Sequence, residues 1–215
     1  TIRLARAITG KPKIVKFYCG YHGTHEWVLI GTSQIENNPE FPRVRPNSAG
    51  IPDSVQNDTL VLPFNDINYT VDFLRKHEGE IAAVLLEPLL GGSGIVAEQE
   101  FVEALRNVTD ELGILLVFDE IITGFRLALG GAAEILGVEP DLVTLGKAMG
   151  GGFPVAAFAG KRKYMERISP GWGAEHDPRE VVYHSGTYNS NALLTASVCA
   201  CISKLEREPV HEHIN

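Results

Sequence analysis

Six short apolar runs rich in β-branched residues punctuate the 215-residue sequence, and stretches with helical spacing separate them. This is how a parallel sheet built from strand-helix-strand crossovers reads. The runs cover residues 14–17, 60–62, 81–87, 114–119, 142–145 and 155–159. Several carry apolar residues on both faces, so they need cover on both sides, as buried parallel strands do. The fold class is therefore α/β. Helical periodicity predicts helices over 65–76, over 99–112 with Gly113 as C-cap, over 130–136 ending at Gly137, and over 191–207. Residues 1–7 read as helix without a start signal, and the last helix runs out into Glu208-Pro209-Val210-His211 with nothing packed after it.

Composition narrows the function classes. The greasiest runs are cut by Glu87 and by Asp119-Glu120, so none reaches the roughly 18–20 apolar residues of a membrane span. The opening Thr1-Ile2-Arg3-Leu4-Ala5-Arg6 is no secretory signal, and the cytoplasm is the expected compartment. With 27 acidic against 19 basic residues, the net charge of -8 disfavours a nucleic-acid partner. Cys19, Cys199 and Cys201 form no even-numbered framework and are expected to be buried thiols. Between 31 and 57 the periodicity disappears among Pro39, Pro42, Pro46 and Pro52. A loop of that length inside a compact domain reads as an active-site loop or as a plain insertion.

Two segments carry chemistry. In LLVFDEIITGFR, residues 115–126, a buried strand ends in two acids. Ligands of open α/β sheets bind at the carboxyl ends of strands, which places Asp119 beside a ligand; equally, Asp119 or Glu120 caps the next helix. In DLVTLGKAMGGGFP, residues 141–154, a strand delivers Lys147 next to Gly150, Gly151 and Gly152, whose backbone can approach a bound group closely. A phosphate-cradling P-loop is excluded, because Asp141 stands where its first glycine belongs and Ala148 follows the lysine. An acid on one strand end and a lysine on another suit pyridoxal 5′-phosphate. The carboxylate keeps the pyridine nitrogen protonated so that the ring acts as an electron sink, and the amine holds the aldehyde as an imine.

Taken in order, KIVKFYCGYHG (13–23), IAAVLLEP (81–88), LLVFDEIITGFR (115–126), LGKAMGGG (145–152) and HSGTYNSN (184–191) resemble the class III aminotransferases of the fold-type I pyridoxal-phosphate enzymes. The resemblance runs through the whole chain. It implies a three-layer, mostly parallel sheet, the large cofactor-binding domain of such an enzyme. It implies that Lys147 forms the Schiff base and shuttles the proton, and that Asp119 pairs with the pyridine nitrogen. Tyr21 would stack on the cofactor ring with His22 as its neighbour, and Ile121 would pack under it. Thr187 would bind the cofactor phosphate of a neighbouring subunit, which implies a homodimer, and Glu87 would lie near the active site. The histidine clusters around His22 and His211 lack HExxH spacing, so no metal is expected.

The implied reaction moves an amino group between a small-molecule donor and a carbonyl acceptor, as a transaminase or an aminomutase. Within the family, YHG, Pro46-Asn47-Ser48-Ala49-Gly50-Ile51-Pro52 and TGFR are similar to glutamate-1-semialdehyde 2,1-aminomutases. Residues 184–191 are similar instead to β-amino-acid aminotransferases. Members of the family also carry a phosphate loop ahead of the first helix and a small C-terminal domain. On that comparison residues 1–215 are expected to be a partial large domain, with 31–57 as its active-site loop. A truncated, non-catalytic cofactor-binding or assembly module of the same fold is the competing expectation.

Overall fold

The computed structural model describes residues 1–34, 39–168, 177 and 180–214. Chain order runs α1 (Ile2–Thr9), β1 (Lys13–Phe17), α2 (Asp53–Asp58), β2 (Thr59–Leu62), α3 (Ile67–Lys76) and β3 (Ile81–Leu86). A small hairpin follows, β4 (Leu89–Leu90) with β5 (Ile95–Val96), then α4 (Gln99–Leu112), β6 (Leu115–Glu120), α5 (Gly131–Leu136) and β7 (Leu142–Leu145). After a 3₁₀ turn over Lys147–Gly150 come β8 (Ala157–Gly160), α6 (Arg162–Met165), α7 (Ala192–Arg207) and α8 (Val210–Ile214). The main sheet has the order β2-β1-β3-β6-β7-β8. Its pairs are parallel except β7 with β8, which run antiparallel. The expected mostly parallel α/β sheet is thus present, with β8 reversed because it returns directly after the turn at Lys147.

Strand periodicity sorts the side chains into two cores. Val15, Phe17, Val84, Leu86, Leu116 and Phe118 face α4, which contributes Phe101, Val102, Leu105 and Val108. Ile14, Ala83, Leu85, Leu115, Val117 and Leu142 face the other way, where Leu4 and Ala5 of α1 cover part of the sheet. Since alternate residues share a face, Lys16, Glu87, Asp119 and Thr144 all belong to this second face. Helix, sheet and helix make the three layers. The helix ends follow the expected local chemistry: Gly113 closes α4 with φ 61°, Gly137 closes α5 with φ 61°, and the Asn191 side chain caps α7 by accepting from the N–H groups of Leu193 and Leu194.

Several expectations are corrected. The segment 31–57 is not irregular throughout: residues 53–58 form α2, Ile30 bridges to Pro46, and Val44 and Val55 pack with Ile30 and Val61. Prolines hid this because a short helix and a single bridge leave no periodicity to read. Residues 35–38 of that segment lie outside the described residues. The final segment is also structured, since α8 follows Pro209 and His211 Nε2 lies 3.1 Å from the Phe125 carbonyl. The cysteines are not buried: Cys199 is exposed, and Cys19 and Cys201 are partly so. Apolar character alone does not bury a residue on α7, where none of the described residues is fully buried.

Asp141, at the foot of β7, ties the layers together. Its carboxylate accepts from Arg106 of α4 at 2.9 Å, from Lys161 after β8 at 2.8 Å and from the Leu116 N–H of β6 at 2.9 Å. Burial alone would raise its pKa, but these partners hold it below the ordinary carboxylate value. Removing it leaves two cations and an amide facing a void. Asp141→Ala is expected to cost about 3 kcal/mol of stability, read from the urea unfolding midpoint at neutral pH.

Candidate active site

Four neighbouring parallel strands, β1, β3, β6 and β7, end side by side, and a cleft of about 1140 Å³ opens over their carboxyl ends. Tyr21 and His22 reach it from the loop after β1, Glu87 from just beyond β3, Asp119 and Ile121 from the end of β6, and Thr144 and Lys147 from β7 and its turn. Residues scattered over more than a hundred positions meet here because every crossover returns the chain to the same edge.

The adjacent acids at the end of β6 have opposite duties. Period-two alternation turns Glu120 to the α4 side, where it is buried and accepts from the Ala132 and Ala133 N–H groups at 2.7 and 3.0 Å and from the Thr123 hydroxyl. Glu120 is therefore the cap of α5. Gly131 is obligatory beneath it, since a Cβ there would lie 2.0 Å from Glu120 Oε2 and φ is +67°. Asp119 turns into the cleft instead.

Asp119 is held as a carboxylate. Its Oδ2 lies 2.8 Å from His22 Nδ1, and its Oδ1 accepts from the Thr144 hydroxyl at 3.1 Å and the Ile121 N–H at 3.2 Å. Burial pushes its pKa up, but these hydrogen bonds outweigh burial and set it below the ordinary value. The His22 imidazole is buried, and that burial pushes its pKa down. A neutral ring facing a carboxylate carries its proton on Nδ1 and donates it to Asp119.

Lys147 stands in the left-handed region at φ 42°, costly for a residue with a side chain. Gly146 precedes it in extended conformation, and a Cβ there would lie 3.1 Å from Ile121 Cδ1. The turn is held from outside by α7, where Ser197 Oγ donates to the Gly150 carbonyl at 2.6 Å and Cys201 Sγ to that of Ala148 at 3.3 Å. The backbone strain is thus maintained by neighbours while the Lys147 side chain faces the cleft, exposed.

Tyr21 is 48% exposed and lines the cleft, while its N–H donates to buried Glu87 Oε2 at 2.7 Å. Burial pushes the Glu87 carboxyl up to about 6, with nearby Asp119 adding to the rise. Thr187 is exposed and does not line the cleft, although Tyr188 and Asn189 beside it do. No described residue between 31 and 57 lines the cleft either. Two polar contributors were not anticipated. Thr144 was hidden inside an apolar strand, and Lys16, buried below the cleft floor, reads in the sequence as an ordinary strand lysine. Among the described residues no group of three His, Cys, Asp or Glu side chains is arranged to hold a metal.

A family model, Aminotransferase class-III, matches residues 1–215. The chain belongs to this family. It is 43% identical to a glutamate-1-semialdehyde 2,1-aminomutase of Methanopyrus kandleri over 219 residues, covering 100% of this chain and 47% of that protein. A crystal structure of an omega-transaminase from Sphaerobacter thermophilus superposes with a TM-score of 0.87 at 38% identity, covering 95% of this chain and 46% of the other. A β-phenylalanine aminotransferase from Variovorax paradoxus gives a TM-score of 0.76 at 36% identity over 99% of this chain and 43% of its own. The chain thus spans about half the length of these class III relatives.

Enzymes of the class III family depend on pyridoxal 5′-phosphate, and the residues on this cleft suit it. An exposed amine faces the same cavity as a carboxylate held ionised by three donors, with apolar Ile121 and aromatic Tyr21 on the walls.

Glu87 allows a test of the site's electrostatics. Its folded pKa lies above the unfolded value, so the native state binds the proton more tightly and stability falls as pH rises from 4.5 to about 6. Glu87→Gln retains an acceptor for the Tyr21 N–H. The variant is expected to match the parent near pH 4 and to exceed it by about 2 kcal/mol above pH 7, measured by denaturant midpoints across that range.

Proposed function

We propose that this chain binds pyridoxal 5′-phosphate through Lys147 and contributes the cofactor-binding half of a site that moves amino groups. The observation that carries the reading is Lys147, presented by a strained turn into the same cleft as the clamped carboxylate of Asp119. When bound, the cofactor supplies an electron sink for a carbanion next to the amino group.

This chain's residues supply the rest. The Lys147 amine would hold the cofactor aldehyde, and as a free amine it would serve as the base and acid that moves a proton at the substrate carbon. Asp119 keeps a proton on the ring nitrogen, and His22 and Thr144 keep Asp119 charged and aimed. Tyr21, half-exposed on the cleft wall, and apolar Ile121 would hold the cofactor ring between them. Thr187, outside the cleft lining, is assigned to the cofactor phosphate of a second subunit, so the working form is a homodimer. The substrates are a small-molecule amino donor and a carbonyl acceptor, or one molecule serving as both in an aminomutase. The high identity to an aminomutase and the structural likeness to an omega-transaminase support the two variants of this one chemistry.

Incubation with pyridoxal phosphate followed by borohydride is expected to leave the cofactor on the Lys147 peptide, read by mass spectrometry. Lys147→Ala should lose that label completely; equal labelling of the variant would remove Lys147 from this role.

A further inference from the structure

Lys16 lies on the cleft face of β1, wholly buried, and among the described residues it has no carboxylate in hydrogen-bond contact. Its ammonium instead meets four oxygens: the carbonyls of Gly20, Val28 and Ile30, each at 2.8 Å, and the Thr32 hydroxyl at 3.0 Å. Thr32 in turn donates to the Val28 carbonyl at 2.9 Å. An ammonium has three protons, so its whole donor capacity is spent on one stretch of chain, residues 20–32. Burying a charge is costly unless such a shell is complete. The cheapest arrangement is therefore the one in which this stretch wraps fully around Lys16.

That stretch carries two walls of the cleft. Tyr21 follows Gly20 directly, and His22 is the donor that clamps Asp119. From the other side Glu87 accepts the Tyr21 N–H. The loop is pinned between a buried cation below and a buried carboxyl at the strand end. The charged and titratable groups around Lys16 are Glu87 beyond β3, Cys19 after β1 and His22; burial pulls the Lys16 amine down to about 7, and Glu87 and the oxygen shell favour its charged form. Removing the cation frees three carbonyls and a hydroxyl at once, whereas Glu87 gives up no partner.

Building on the cofactor reading above, we infer that Lys16 is a positioning residue for the site: its ammonium folds residues 20–32 into the one conformation that presents Tyr21 to the cofactor face and locks His22 onto Asp119. It does not itself line the cleft, and among the described residues its one hydrogen-bond partner on the lining is the Val28 carbonyl. Its effect reaches the cleft through residues 20–32, above all through Tyr21 and His22.

The test uses the intact protein with Lys16→Met, which keeps length and apolar stem, and with Thr32→Val, a milder variant that removes one oxygen of the shell. In the cofactor-free form, amide hydrogen exchange of residues 20–32 is expected to accelerate by about tenfold or more in Lys16→Met and by less in Thr32→Val, relative to unchanged β3 and β6. Histidine NMR is expected to show His22 as a neutral Nδ1–H ring in the parent and titrating near its ordinary value of about 6.5 in the variants. Pyridoxal-phosphate affinity should fall by about tenfold in Lys16→Met. Unchanged exchange and an unchanged His22 signal in both variants would overturn the inference, as would a loss of protection spread evenly over the sheet. Should Lys16→Met not fold, Thr32→Val decides by the same two readouts. A parent protein that takes up no cofactor would overturn the proposed function, and the exchange and NMR arms would still decide the role of Lys16.

Discussion

A polar side chain on a strand buried from both sides must find its partners within a few ångströms, and in this protein that demand organises the whole carboxyl edge of the sheet. Lys16, Glu87, Asp119 and Thr144 sit on one face at the ends of adjacent strands. Three of them draw a loop onto themselves, and Thr144 supports Asp119: Lys16 takes residues 20–32, Glu87 takes the Tyr21 N–H, and Asp119 takes His22 and the turn at Ile121. The loops that build the cleft are therefore held by buried polar groups beneath them as well as by the apolar packing of Val28 and Ile30.

The electrostatics follow from burial and partner count. Asp119 has three donors and stays ionised, whereas burial, with nearby Asp119 adding to it, pushes Glu87 up to about 6. A pair of carboxyls whose environments drive them apart is a common mark of a working site. Here the ionised member is the one aimed at the cleft centre. Glu120, one residue from Asp119, shows how local the division is: one step along a strand reverses the face, and the same residue type becomes a helix cap.

Strain is placed with equal economy. Lys147 occupies a left-handed conformation that glycine would adopt freely. The hydrogen bonds from Ser197 and Cys201 of α7 hold the carbonyls on the following turn, so α7 contributes to the site without entering it. Partly exposed Cys201 of this helix is better understood through that contact than through the core.

The alternation of apolar runs and helical spacing determined the α/β class, and the strand centres were legible because a strand covered on both faces has no polar positions to spare. Asp119 and Lys147 were legible too, since an acid and a lysine closing two such runs contradict the pattern around them. The order of strands was not, because strand spacing carries no record of which neighbours pair; only the tertiary fold sets β1, β3, β6 and β7 side by side. Nor could the sequence divide Asp119 from Glu120, a question of register, or separate Lys16 from a solvated strand lysine. A lysine becomes a buried hub only when a distant loop closes over it, and the carbonyls that receive it belong to the backbone, which every sequence shares.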